Sequence, residues 1–387
     1  MRDKALLAAA FLLLAASRAE ARSWRVELDG TGDFVDIQAA VDAAAAGDSI
    51  LIGPGRFGAL HEVSRFMRTH EAIVDINKPG LTFIGAGQGV TTLGPTTWYA
   101  PYAQDPCVFL GRPANSFTLR HLSLENVTYL VMSWGAVDLE DCTFWQRQIP
   151  MTCVYVGAAP ARIESCSFTM RYGGYGIELS DPSSPSTIHG CTFRSSAFCE
   201  AIDAYFGVRD LTVSDCTITN GAMVLGNTSG TVTNCSFTNS NPNVQRSIIF
   251  VNGADSDLRF EDIAIDGAYS ALTVDQGRLD ATRLTITNIT DYGLIVDRRC
   301  QLTIRDSNLL VDPGWLVYCQ NSVYDAPYTI DLTGNYWGLT DAAAIAARIR
   351  DHADDPGVPA TVLYQPFVGQ PVSVEAVSWG ELKAQFR

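Results

Sequence analysis

The sequence predicts an all-β protein wound as a parallel β-helix, a solenoid with three strands per coil and a helix closing each end. Three observations carry that prediction. A short unit recurs as EDCTF (Cys142), ESCSF (Cys166), HGCTF (Cys191), SDCTI (Cys216) and TNCSF (Cys235), and its third residue continues as Leu122 upstream and as Ile263, Leu284 and Ser307 downstream. The intervals are 20, 24, 25, 25, 19, 28, 21 and 23 residues, a period that marks a solenoid. Within each unit apolar residues alternate with polar ones, which is strand spacing and not helical spacing. Before each unit comes a further β-rich segment bounded by Asn, Asp, Gly or Ser, as in GIELS (176–180), AIDAY (201–205) and IIFVN (248–252).

Taken in chain order, residues 1–21 are set apart. Met1–Lys4 carry charge, Ala5–Ala16 is apolar, and Ala19-Glu20-Ala21 fits a small-residue cleavage site, so this stretch reads as a signal peptide. Its 12 apolar residues are too few to cross a bilayer, and no later stretch is long enough. Residues 22–370 form one β-helix domain, because each end of a solenoid needs a cap. At the front, Asp36 is the expected N-cap of a helix whose apolar face is Ile37, Ala40, Val41 and Ala44, stopped by Gly47. In ARIESCSF, Ile163 points inward, Ser165 makes a bend, and Cys166 and Phe168 point inward again. Stacked coils lie about 4.8 Å apart, so the cysteines form an internal column. Free buried thiols are expected there, since that spacing exceeds the Cβ separation of a disulfide. Cys107, Cys153, Cys199, Cys300 and Cys319 lie off the column, and a bond among them stays open. At the back, GNYWG (334–338) precedes a helix with Thr340 as expected N-cap and Ile345 and Ile349 on its apolar face. TVLYQPF (361–367) follows as a last strand, and residues 371–387 are a tail.

GTGDFVDIQAAVDAAAAGDSILIGPGRF (30–57) resembles the opening of pectin-lyase-like proteins, including pectin methylesterases. The closing NYWG with its helix and D-D-P turn resembles that of secreted bacterial β-helix repeat proteins. The resemblance spans nearly the whole exported chain and implies a right-handed, single-stranded parallel β-helix. It is specific for fold and weak for function, because this architecture hosts lyases, hydrolases, esterases and attachment proteins. DAYFG (203–207) is similar to the D-x-x-F-G of pectin methylesterases, which would make Asp203 a nucleophile, and LGRP (110–113) to their L-G-R-P-W, which would give Arg112 the substrate. Here the two motifs stand in reverse order and Ala114 replaces the tryptophan, so an esterase is only a minor alternative.

Charge narrows the partners. The whole chain carries −15, and without residues 1–21 it keeps 24 basic against 40 acidic residues, or −16. That excludes nucleic acid and anionic membrane as natural partners and favours a neutral polymer, or an anionic one bridged by cations. Three lysines beside 24 arginines point to a bacterial source, with the protein secreted, periplasmic or at the cell surface. Zinc spacing, phosphate loops and a serine nucleophile elbow are absent from the sequence.

In such helices the outward face of the segment before each unit commonly binds polysaccharide. Aligned by their middles, these segments give an outward row of Val154, Glu178, Asp203, Val224, Phe250, Thr273, Ile295 and Val317. Glu178 and Asp203 are neighbours in consecutive coils, about 5 Å apart. Two carboxyls that close divide into an acid and an ionised partner, which fits a retaining glycosidase. Alternatively Glu178, Asp181 and Asp203 would hold Ca²⁺. Arg171, Tyr172 and Tyr205 are the expected sugar contacts, and Glu200 lies nearby. The apolar remainder of the row calls for cover, for which the segment Tyr364–Phe367 is available. Asp275 and Asp297 make a second acidic pair, and His189 reads as a solvated bend residue. The expected function is binding, with cleavage or modification, of a carbohydrate polymer by a lyase or hydrolase; the rival is a non-catalytic attachment or structural module.

Overall fold

The structure is a computed structural model that describes residues 21–65, 68–99, 105–146, 152–171, 173–180, 185–239, 246–322 and 325–373. The proposed leader, apart from Ala21, and most of the proposed tail lie outside these residues, as do Tyr172 and Asp181. The described residues form a β-solenoid of about 12 turns with two short helices among them. No helix among the described residues is long and apolar enough to cross a membrane.

Local chemistry sets the coil. Ala161–Glu164 and Ser167–Met170 are strands split by a corner at Ser165, whose φ is 54°. The equivalent corners at Asp141, Asp215 and Asn234 have φ of 51°, 57° and 51°. Asp and Asn tolerate this left-handed conformation better than other residues with a side chain, which explains their place just before the column residue. Beyond the corner the inward positions stack in register. The residue after Cys142 pairs with the one after Cys166, and that with the one after Cys191, all in parallel. Phe144, Phe168 and Phe193 follow, their rings 4.7 Å apart and 8° from parallel at each step.

The column residues from Leu122 to Ser307 are all buried. All ten cysteines are free and buried, including the five that lie off the column. Burial pushes the thiols of Cys199, Cys300 and Cys319 up to about 12. A thiol reagent is therefore expected to find no reactive cysteine in the native protein and ten after denaturation without reductant. Fewer than ten would show that a disulfide had formed.

The ends close as capped stacks. Ile37–Ala43 is the front helix, with the Asp36 carboxylate accepting from the Ala39 N–H at 2.9 Å and Ile37, Ala40 and Val41 buried. At the back, Ala342–Ala346 is capped by Asp341, not by the adjacent Thr340, because the Asp341 carboxylate accepts from the Ala344 N–H at 2.8 Å. Ile345 is buried on that helix, but Ile349 belongs to a strand that pairs with Val317. The segment Tyr364–Phe367 does not cover the outward row as expected. It folds over the GNYWG end, where Pro366 accepts from the Gly334 N–H and the Tyr364 hydroxyl reaches the Ala342 carbonyl. An antiparallel hairpin, His61–Arg65 with Arg68–Ile76, stands near the front among described ladders that are otherwise parallel.

Candidate functional site: an acidic groove on the outward ladder

The strand Tyr175–Ser180 pairs in parallel with Thr192–Tyr205, and the register sets Glu178 opposite Asp203. The outward row continues from Asp203 through Val224, Phe250, Thr273 and Ile295. Two members of the expected row are displaced by one residue. Tyr155, not Val154, precedes Glu178, and Tyr318, not Val317, follows Ile295, while both valines are fully buried.

Around the acid pair the surface opens into a groove of about 600 Å³. Glu178, Glu200 and Asp203 form its polar part, and Tyr175, Phe198, Tyr205, Phe206 and Phe250 its aromatic walls. Phe206 is 64% exposed and its ring meets that of Tyr205 edge-on at 4.6 Å. Tyr205, an expected sugar contact, thus lies in the groove. Arg171 precedes the strand, with its carbonyl accepting from the Ser196 hydroxyl. Among the described residues the cation that lines the groove is Arg246, ion-paired with Glu200 at 3.1 Å.

Glu200 reaches the groove through a break in alternation. Ala201 and Ile202 are both fully buried, so Glu200 and Asp203, three residues apart, face the same way. Tyr175 and Glu178 are related likewise across Gly176 and Ile177, and the register sets Tyr175 opposite Glu200.

The carboxyls differ in environment. Burial, then the nearby Glu200 and Glu178, raises Asp203 to about 7. Its Oδ1 is out of solvent and has no hydrogen-bond partner among the described residues. Glu178 is also raised by burial, but Thr152 Oγ1 donates to its Oε2 at 2.9 Å and opposes that rise. Both carboxyls are therefore pushed toward their protonated forms, with a hydrogen bond from Thr152 opposing the rise at Glu178 and none opposing it at Asp203 Oδ1.

The other sequence candidates resolve into structural roles. Arg298 holds Asp275 through Nε and Nη2, both at 2.5 Å, so Asp275 of the second acidic pair is ion-paired. His189 sits at the surface against Asp215 and Ser214. Arg112 donates to Asp75 at 2.7 Å and lies four ladder steps from Asp203, about 19 Å by strand spacing, so an esterase centre joining Arg112 to Asp203 is not assembled. Among the described residues no three His, Cys, Asp or Glu side chains are grouped to hold a metal ion. Of the Ca²⁺ ligands proposed from sequence, Asp181 lies outside the described residues.

No protein-family model matches the chain, and a comparison with curated proteins finds no match. Solved structures are similar over most of the chain, at low identity and low TM-score. The mannuronan C-5 epimerase AlgE4 A-module of Azotobacter vinelandii is 14% identical, over 86% of this chain and 94% of that one, at a TM-score of 0.42. A pectin methylesterase from carrot is 14% identical over 88% of each chain, at 0.37. Pectate lyase Pel9A is 12% identical over 90% of this chain and 78% of its own, at 0.42. At such identities and TM-scores the likeness carries no argument about this chain's activity.

Proposed function

We propose that the protein binds a neutral carbohydrate polymer in the acidic groove and hydrolyses it, with Asp203 as proton donor and Glu178 as its ionised partner. The observation that carries this reading is the Asp203 carboxyl, partnerless at Oδ1 and set beside Glu178 in an aromatic-walled groove. Parallel strand spacing brings the two groups to about 5 Å, the separation of a retaining pair. In the first step the Asp203 proton passes to the glycosidic oxygen while the bond from that oxygen to the anomeric carbon breaks. Glu178, steadied by Thr152, forms a bond to the same carbon. Water then gives its proton to Asp203 and its oxygen to the anomeric carbon, which releases Glu178.

The balance of charge selects the polymer. With Asp203 protonated, Glu178 and Glu200 stand against the one arginine among the described lining residues, an acidic balance that disfavours a uronate chain. Incubation with neutral glucans and mannans is expected to release reducing ends, while uronate polymers give none. Activity should fall as pH rises through about 7, the range in which Asp203 loses its proton. Binding without turnover of any neutral polymer would instead assign the protein to the attachment class.

A further inference from the structure

We propose that the bound polymer runs beyond the groove along the same ladder, over a track of aromatic rings at Tyr292, Trp315 and Tyr318, so that long chains are preferred to short ones. This rests on the glycan reading of the groove. Thr273 is the last row position in the groove, and the register leads from it to Ile295 and then to Tyr318. Beside that row, Ser270 pairs with Tyr292 and Tyr292 with Trp315. The Tyr292 and Tyr318 centroids are 5.1 Å apart, and those of Trp315 and Tyr318 5.9 Å. Arg350 ends the track with its guanidinium 4.9 Å from the Tyr318 ring centroid.

Rings of this kind offer an apolar face with a polar edge, the pattern presented by the C–H face and hydroxyl rim of a sugar. Trp315 is 36% exposed although the solenoid core lies directly beneath its strand. The track is also continuous with the groove, which commits it to the same occupant. Asp203 and Tyr318 are five ladder steps apart, about 24 Å, well beyond the length of a disaccharide. On the other side of the acids, Tyr155 pairs with Glu178 and meets Trp134 at 5.8 Å, so aromatic rings flank the acid pair along the ladder.

The test is calorimetric titration of the full chain with glucose and mannose oligomers from disaccharide to decasaccharide, repeated with Trp315→Ala and Tyr292→Ala. Affinity is expected to climb with chain length until the oligomer spans the track. Each variant should weaken the decasaccharide on the order of tenfold more than the disaccharide, equivalent to about 1.4 kcal/mol. A melting curve for each variant checks that the fold persists. Equal affinity at all lengths, or equal losses for short and long chains, overturns the track but leaves the groove reading standing. Loss of a homodimer in the variants would assign the rings to self-association and also overturn it. Failure of every oligomer to bind overturns both readings.

Discussion

Asp203→Asn is expected to abolish turnover and, in mildly alkaline buffer, to make the protein more stable. The rate loss should be about 10²–10⁴-fold, the usual contribution of a positioned general acid. The stability gain follows from proton linkage. The folded-state pKa of Asp203 is raised to about 7, so between the ordinary aspartate value and neutrality the native state holds a proton that the unfolded chain has lost. Stability from this group is therefore lost as pH rises across that window, and above it the ionised carboxylate is a standing penalty. A rise of that size corresponds to about 4 kcal/mol, which solvent screening in the open groove reduces to about 2 kcal/mol. An amide escapes the penalty. Melting curves of both proteins at acidic and alkaline pH check this: the difference should appear only on the alkaline side. Unchanged stability at both pH values would mean that Asp203 is an ordinary solvated carboxylate.

Phe168→Ala should produce the largest loss of stability, about 3–5 kcal/mol, the range for a fully buried phenylalanine cut to alanine. The residue is 0% exposed and stacks on Phe144 below and Phe193 above, so the deletion leaves a cavity that two coils share. Solenoid stability is built from contacts between neighbouring repeats, and this change weakens two of them. Trp145→Ala is the control. It lies in the neighbouring strand but is 43% exposed, and its loss should cost far less. Denaturant midpoints compare the two, and similar shifts would contradict the stacked register.

That register was legible because one residue per coil repeats its chemistry. The thiol column and the phenylalanines after it lock the phase from Cys142 to Cys235, and the pairing of Glu178 with Asp203 in the ladder follows from it. The outward row was less legible where alternation lapses. Thr152, Cys153 and Val154 are all buried, as are Leu316 and Val317, so period-two reasoning has no phase there and placed the row one residue early. The same lapse at Ala201 and Ile202 turns Glu200 into the groove, where strict alternation would turn it inward. The cover expected from Tyr364–Phe367 failed for another reason. The last coil also needs its end closed, and the GNYWG segment takes up those residues. Phe206 and Arg246 lie where the chain leaves or enters a strand, so no periodic signal reaches them.

Acid catalysis in the groove depends on Asp203 keeping its proton to near neutrality beside Glu178. The most direct measurement is the pH titration of the Asp203 carboxyl ¹³C resonance, assigned by its disappearance in Asp203→Asn. A midpoint near 7 is the predicted result. A midpoint near 4, the ordinary aspartate value, would contradict the account and leave the groove without its acid.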